Sequence, residues 1–173
     1  MTKQEIISAL VEKHKTFAAF FDTLDKDQFE NSVSNKWSPG EQLEHILLSV
    51  KPLEKGLSSA PKLVLKLSFG TSKNGSRSYQ EVIDLYHDKL SKGAKATKKF
   101  IPKTIVESEK KKLQSELNNT VESLANTLQK FNNNELDSLR LPHPLLGKLT
   151  IREMLYFTMY HVGHHLAKTK ENL

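Results

Sequence analysis

The sequence predicts an all-helical protein, and three observations carry that reading. A Ser or Thr stands three residues ahead of a Glu in four places: Thr2 with Glu5, Ser38 with Glu41, Ser78 with Glu81 and Thr150 with Glu153. Each is a capping box, in which the hydroxyl accepts a bond from the backbone N–H three residues on and the carboxylate reaches back to the N–H of the cap. Apolar residues recur at helical intervals, and no stretch keeps strand alternation for long. Glycine is sparse, 7 in 173 residues, and clusters in the connections.

One domain, residues 1–173, is expected, long enough to bury about two-thirds of the surface its unfolded form exposes. The chain has no cysteine, which excludes disulfides, thiolate metal sites and a cysteine nucleophile and favours an intracellular location. The first five residues hold no apolar core of signal-peptide length, and no later run approaches the roughly 20 apolar residues of a membrane span. A cytoplasmic protein without a membrane partner is therefore expected. The formal charge of +6 could attract nucleic acid, but the lysines are spread over segments such as 95–103 and 110–112 without interleaved aromatic residues. No nucleic-acid partner is expected.

The first helix is predicted over residues 3–24, with Ile6, Leu10, Phe17, Phe21 and Leu24 on one face. His14 lies on that face, where a histidine is ordinarily satisfied by a neighbouring polar group. Residues 25–36 read as a polar connection. Ser38 then caps the second helix, with Pro39 at the first helical position, where its missing N–H costs little. Leu43, Ile46, Leu47, Val50 and Leu53 form its aliphatic stripe. His45 falls off that stripe beside Gln42 and Ser49, so it faces either solvent or a polar cavity beside the core.

Residues 56–77 are rich in Gly, Ser and Lys, and a connection of that length is expected to be a partly ordered lid or binding loop. Ser78 caps a third helix with core positions Val82, Tyr86, Leu90 and Ala94, fading over residues 93–99 and ended by Pro102. The fourth, residues 106–132, has the cleanest period: Leu113, Leu117, Val121, Leu124, Leu128, Phe131. Residues 139–147, with Pro142, His143, Pro144 and Gly147, form a structured turn into the last helix, residues 150–168.

That helix carries His161-Val162-Gly163-His164-His165. His161 and His165 stand one turn apart, with roughly 5 to 6 Å between their Cβ atoms, a spacing at which two imidazoles can share a metal ion. With 7 histidines in the chain, about a quarter of such a pair arises by chance, so the spacing alone is weak. A helical wheel adds to it. Ile151, Leu155, Met159, Val162 and Leu166 form an ordinary stripe, whereas Met154, Phe157, Thr158, His161, His164 and His165 form a second arc that resembles the wall of a semi-buried pocket. Gly163 costs about 1 kcal/mol against Ala in mid-helix, which suggests a close approach beside the histidines. A third ligand has to come from a facing helix, and His45 is the best placed.

Trp37-Ser38-x-x-Glu41-x-Leu43-x-His45-Ile46 resembles the second-helix signature of the DinB-like superfamily. His143-Pro144-Leu145-Leu146-Gly147-Lys148-Leu149-Thr150, followed by His161-x-x-His164-His165-Leu166, is similar to its last-helix signature. The resemblance implies a four-helix bundle of up-down-down-up type with extra short helices in the connections, commonly a homodimer, holding one divalent metal through His45, His161 and His165. His164 stands where relatives with a double histidine have a non-ligand, and Lys168 where relatives often carry Gln. Three imidazoles leave open coordination positions and suit Zn, Ni, Fe or Cu. Characterised relatives include thiol-dependent S-transferases and a thiol-dependent isomerase. The implied function is transfer of a low-molecular-weight thiol to an electrophilic substrate; a non-catalytic metal-binding stress-response module and a metal-dependent hydrolase are the alternatives. Glu41, one turn before His45, is read as a cap rather than a general base.

Overall fold

The computed structural model describes residues 1–32 and 36–173; residues 33–35, in the predicted polar connection, lie outside the described residues. Helix α1 (Lys3–Phe20) runs into a 3-10 turn, Phe21–Thr23, and is followed by α2 (Lys26–Glu30), α3 (Pro39–Ser59), α4 (Lys62–Phe69) and α5 (Tyr79–Ser91). After a largely irregular stretch come α6 (Lys110–Gln129), α7 (Asn133–Ser138), the strands β1 (Arg140–His143) and β2 (Gly147–Thr150), and α8 (Ile151–Glu171).

All four capping boxes form, at Thr2, Ser38, Ser78 and Thr150. Two more occur, Asp25 with Gln28 at α2 and Asn132 with Glu135 at α7, built from acid and amide side chains. The polar connection over 25–36 and the asparagine run at 132–134 therefore each start a short helix. The expected loop over 56–77 is corrected in its first part: α3 continues to Ser59, and α4 follows with Leu65 buried against the core. The fourth long helix begins at Lys110, after a 3-10 turn at Glu107–Glu109, rather than at residue 106.

Among the described residues, the all-helical expectation fails between α7 and α8. The predicted turn at 139–147 is a two-stranded antiparallel hairpin, with Leu141 opposite Leu149 and His143 opposite Gly147. Gly147 takes φ +76°, a conformation available to glycine at little cost. Strands of 4 residues are too short for alternation to stand out from the helical periods on either side.

The long helices α1, α3, α6 and α8 supply most of the core, with α1 packed on α6 and α8, and α3 packed on the same two. Their directions follow from contacts at their ends. Arg152 donates to the Met1 carbonyl near one end of α8 and Lys170 lies over the Phe20 ring near the other, so α1 and α8 run parallel. Lys36 reaches Asn172 and His45 meets His161, so α3 runs against α8. Lys3 reaches Gln129 while Lys111 pairs with Asp22, so α6 runs against α1. Helix α5 lies on α8, fastened by Arg77, which donates through its backbone N–H and Nε to the same Glu153 oxygen at 2.8 Å. At the start of α3, Gly40 lets α2 come close: a Cβ there would lie 2.9 Å from the Phe29 ring and 3.1 Å from Ile105.

Candidate metal centre

Because α3 and α8 are antiparallel neighbours, His45 faces the turn of α8 that carries His161 and His165. The three are buried, and one nitrogen from each lies within 4.8 Å of the others. The Nε2 atoms converge: His45 Nε2 is 3.3 Å and His165 Nε2 3.0 Å from His161 Nε2. Of the two environments open to His45, the structure supplies the cavity.

Each outer histidine is oriented from behind. His45 Nδ1–H donates to the Phe100 carbonyl at 2.6 Å, and His165 Nδ1–H to the Gln42 side-chain oxygen. Both rings therefore carry their proton on Nδ1 and turn an Nε2 lone pair toward His161. A single N–H on His161 can satisfy only one of those lone pairs. A cation accepts all three, so the donor set fits a divalent metal ion. Burial holds each imidazole below its ordinary pKa, well below for His161 and His165, which their histidine neighbours lower further. All three are thus in the neutral form that coordination requires. Trp37 stacks on His165 with centroids 6.2 Å apart, and Phe157 on His161 at 4.8 Å.

The cluster opens onto a cavity of about 960 Å³. Met154, Phe157, Thr158, His161, His164 and His165, the second arc of the last helix, all line it. Val64, Leu65 and Phe69 of α4 form another wall, so the segment first read as a loop does border the cavity. Lys36 and Lys95 contribute positive charge, Lys168 is paired with Glu171 at 2.8 Å, and no carboxylate lines the cavity among the described residues. Tyr86 also lines the cavity, edge-on to His161 at 6.1 Å; burial and the neighbouring Tyr160 push its hydroxyl up to about 12.

Other sequence expectations sort cleanly. His164 stays outside the cluster, edge-on to Tyr86 and His165. Glu41 caps α3, accepting from Ser38 N–H at 2.8 Å. His143 serves the hairpin: its Nδ1 accepts from the backbone N–H groups of Leu145 and Leu146 at 3.2 and 3.0 Å. The close approach proposed for Gly163 does not occur, since it is exposed and a Cβ there would meet nothing within 4 Å. Sequence reasoning gave no role to Gln42 or to the Phe100 carbonyl; Gln42 had one signal, its place on the polar strip with His45.

The arrangement defines a helical protein with a buried three-histidine cluster at the wall of a large, mainly apolar cavity. The sequence profile of the DinB superfamily matches residues 9–168, and the chain belongs to that superfamily. No curated protein and no solved structure matches the chain significantly.

Proposed function

We propose that the protein holds one divalent metal ion through His45, His161 and His165 and transfers a low-molecular-weight thiol to an electrophilic substrate. The convergence of three neutral Nε2 atoms on one buried point beside the cavity carries this reading. A divalent ion supplies there a Lewis acid that lowers the pKa of a thiol, making a nucleophile at neutral pH. The protein's own groups do the rest. The Phe100 carbonyl and Gln42 fix the proton positions of the outer histidines, while Trp37 and Phe157 hold the rings by packing.

The charge of the cavity favours a thiol over water. With Lys36 and Lys95 and, among the described residues, no carboxylate along its wall, it attracts an anion but offers no carboxylate base. A thiol ionises at about pH 8.5 even in water and needs little help, whereas activating water calls for much more. The apolar walls suit an electrophile with a hydrophobic body. We also read α1, α3, α6 and α8 as the up-down-down-up four-helix bundle that the family resemblance implies.

Elemental analysis of protein purified without a nickel column is expected to show about one metal per chain, lost in His161→Ala. A panel of small thiols with a generic electrophile is then expected to show metal-dependent conjugation. Absence of metal after supplementation with Zn, Ni, Fe and Mn would sink the site, and rates equal to the no-enzyme control would sink the transferase.

A further inference from the structure

His14, on α1, is fully buried and lines the same cavity as the three-histidine cluster. Its Nδ1–H donates to the Leu10 carbonyl at 2.7 Å, which fixes the tautomer and leaves a lone pair on Nε2. Among the described residues that nitrogen has no hydrogen-bond partner. Its neighbours on the same face of α1, Leu10 and Phe17, are apolar core residues, and a leucine in its place would fill the core without stranding an acceptor. The parallel course of α1 and α8, with Met1 beside Arg152 and Phe20 beside Lys170, sets His14 about level with the turn carrying His161 and His165.

We propose that His14 Nε2 receives an O–H or N–H donor of the molecule bound in the cavity, and so selects ligands that carry a donor on an otherwise apolar body. The proposal rests on the reading of the cavity as a substrate site and describes the electrophile that site takes. His14 lies outside the group of nitrogens able to share one ion, so its lone pair is not committed to the metal; the ring is closed over in this structure, and a ligand donor reaches Nε2 by a small displacement of the side chains lining that end of the cavity. Burial pushes its pKa down to about 4, so the ring is neutral near pH 7 and pairs with a donor rather than with an anion. Lys36 and Lys95, which line the cavity, supply the attraction for anions separately.

Matched probe pairs test this: indole against 1-methylindole, phenol against anisole, and 2-naphthol against 2-methoxynaphthalene, each titrated into the full zinc-loaded chain. The donor-bearing member of at least one pair is expected to bind about fivefold or more tightly, and His14→Leu to abolish that preference. In histidine-¹⁵N-labelled native protein, the His14 Nε2 resonance is expected to move with the donor-bearing probe and not with its methylated partner. This second readout needs no variant to fold. Three outcomes overturn the proposal: no pair discriminating, including no binding by any probe; a preference that survives His14→Leu; or a His14 resonance that stays still while the probe binds. None of these readouts involves conjugation, so a protein that binds the probes as expected but transfers no thiol would refute only the transferase.

Discussion

Gln42 determines which nitrogen of His165 carries the proton, because a side-chain oxygen facing Nδ1 can only accept. Leucine would fill a similar volume and accept nothing, freeing the ring to turn or change tautomer. Gln42→Leu is therefore expected to keep the fold while weakening metal binding by about 10- to 100-fold, measured by competition with a chromogenic chelator. Unchanged affinity would mean that packing against Trp37 orients His165 without help. The three clustered histidines were legible in the sequence: His161 and His165 through their spacing and the two-faced wheel, His45 through its place off the aliphatic stripe together with the motif around it that resembles the DinB-like second-helix signature. Their supports were not. Gln42 touches His165 only because α3 and α8 are antiparallel in one register, and the Phe100 carbonyl belongs to backbone, which has no side-chain signature. His14 was half legible: its expected polar partner exists at Nδ1, and Nε2 is left without one.

Helix α8 shows what a wheel can and cannot supply. Its cap, its stripe and its cavity-facing arc were all readable, since each follows from local spacing. Gly163 misled, because an unfavourable residue in mid-helix was taken to mark a neighbour that the three-dimensional packing does not provide. Gly163→Ala is therefore expected to stabilise the protein by about 1 kcal/mol, raising the unfolding temperature by roughly 2 to 4 °C, with metal content unchanged. Calorimetry would check it, and a destabilised variant would show that the glycine answers a need absent from this structure. Elements that escaped the sequence reading did so for local reasons. Helices α2 and α7 start at Asp and Asn rather than Ser or Thr, and α4 is only 8 residues long, too short for its period to outweigh the surrounding Gly, Ser and Lys.

For the molecule as a whole, buried neutral histidines tie stability to pH. Burial pushes both His14 and His143 down to about 4, whereas in the unfolded chain each titrates near the ordinary value of about 6.5. Between those values the unfolded chain binds more protons than the folded one, so stability rises with pH across that window. The contribution is fully present above about 6.5 and is lost as pH falls through 4, on the order of 3 kcal/mol for each group. Denaturant titrations at successive pH values are expected to show this fall, and His14→Leu to flatten it by about one group's share. A stability unchanged between pH 6.5 and 4 would contradict the burial of both rings. The antiparallel pairing of α3 with α8 has one more consequence. His45 and His161 are 116 positions apart, so an ion seated between them would act as a removable crosslink closing most of the chain into a loop. By the chain-entropy reckoning used for disulfides, such a closure is worth on the order of 4 to 5 kcal/mol against the unfolded chain, so a chelator would lower the stability of the whole fold by up to that amount without touching a helical hydrogen bond.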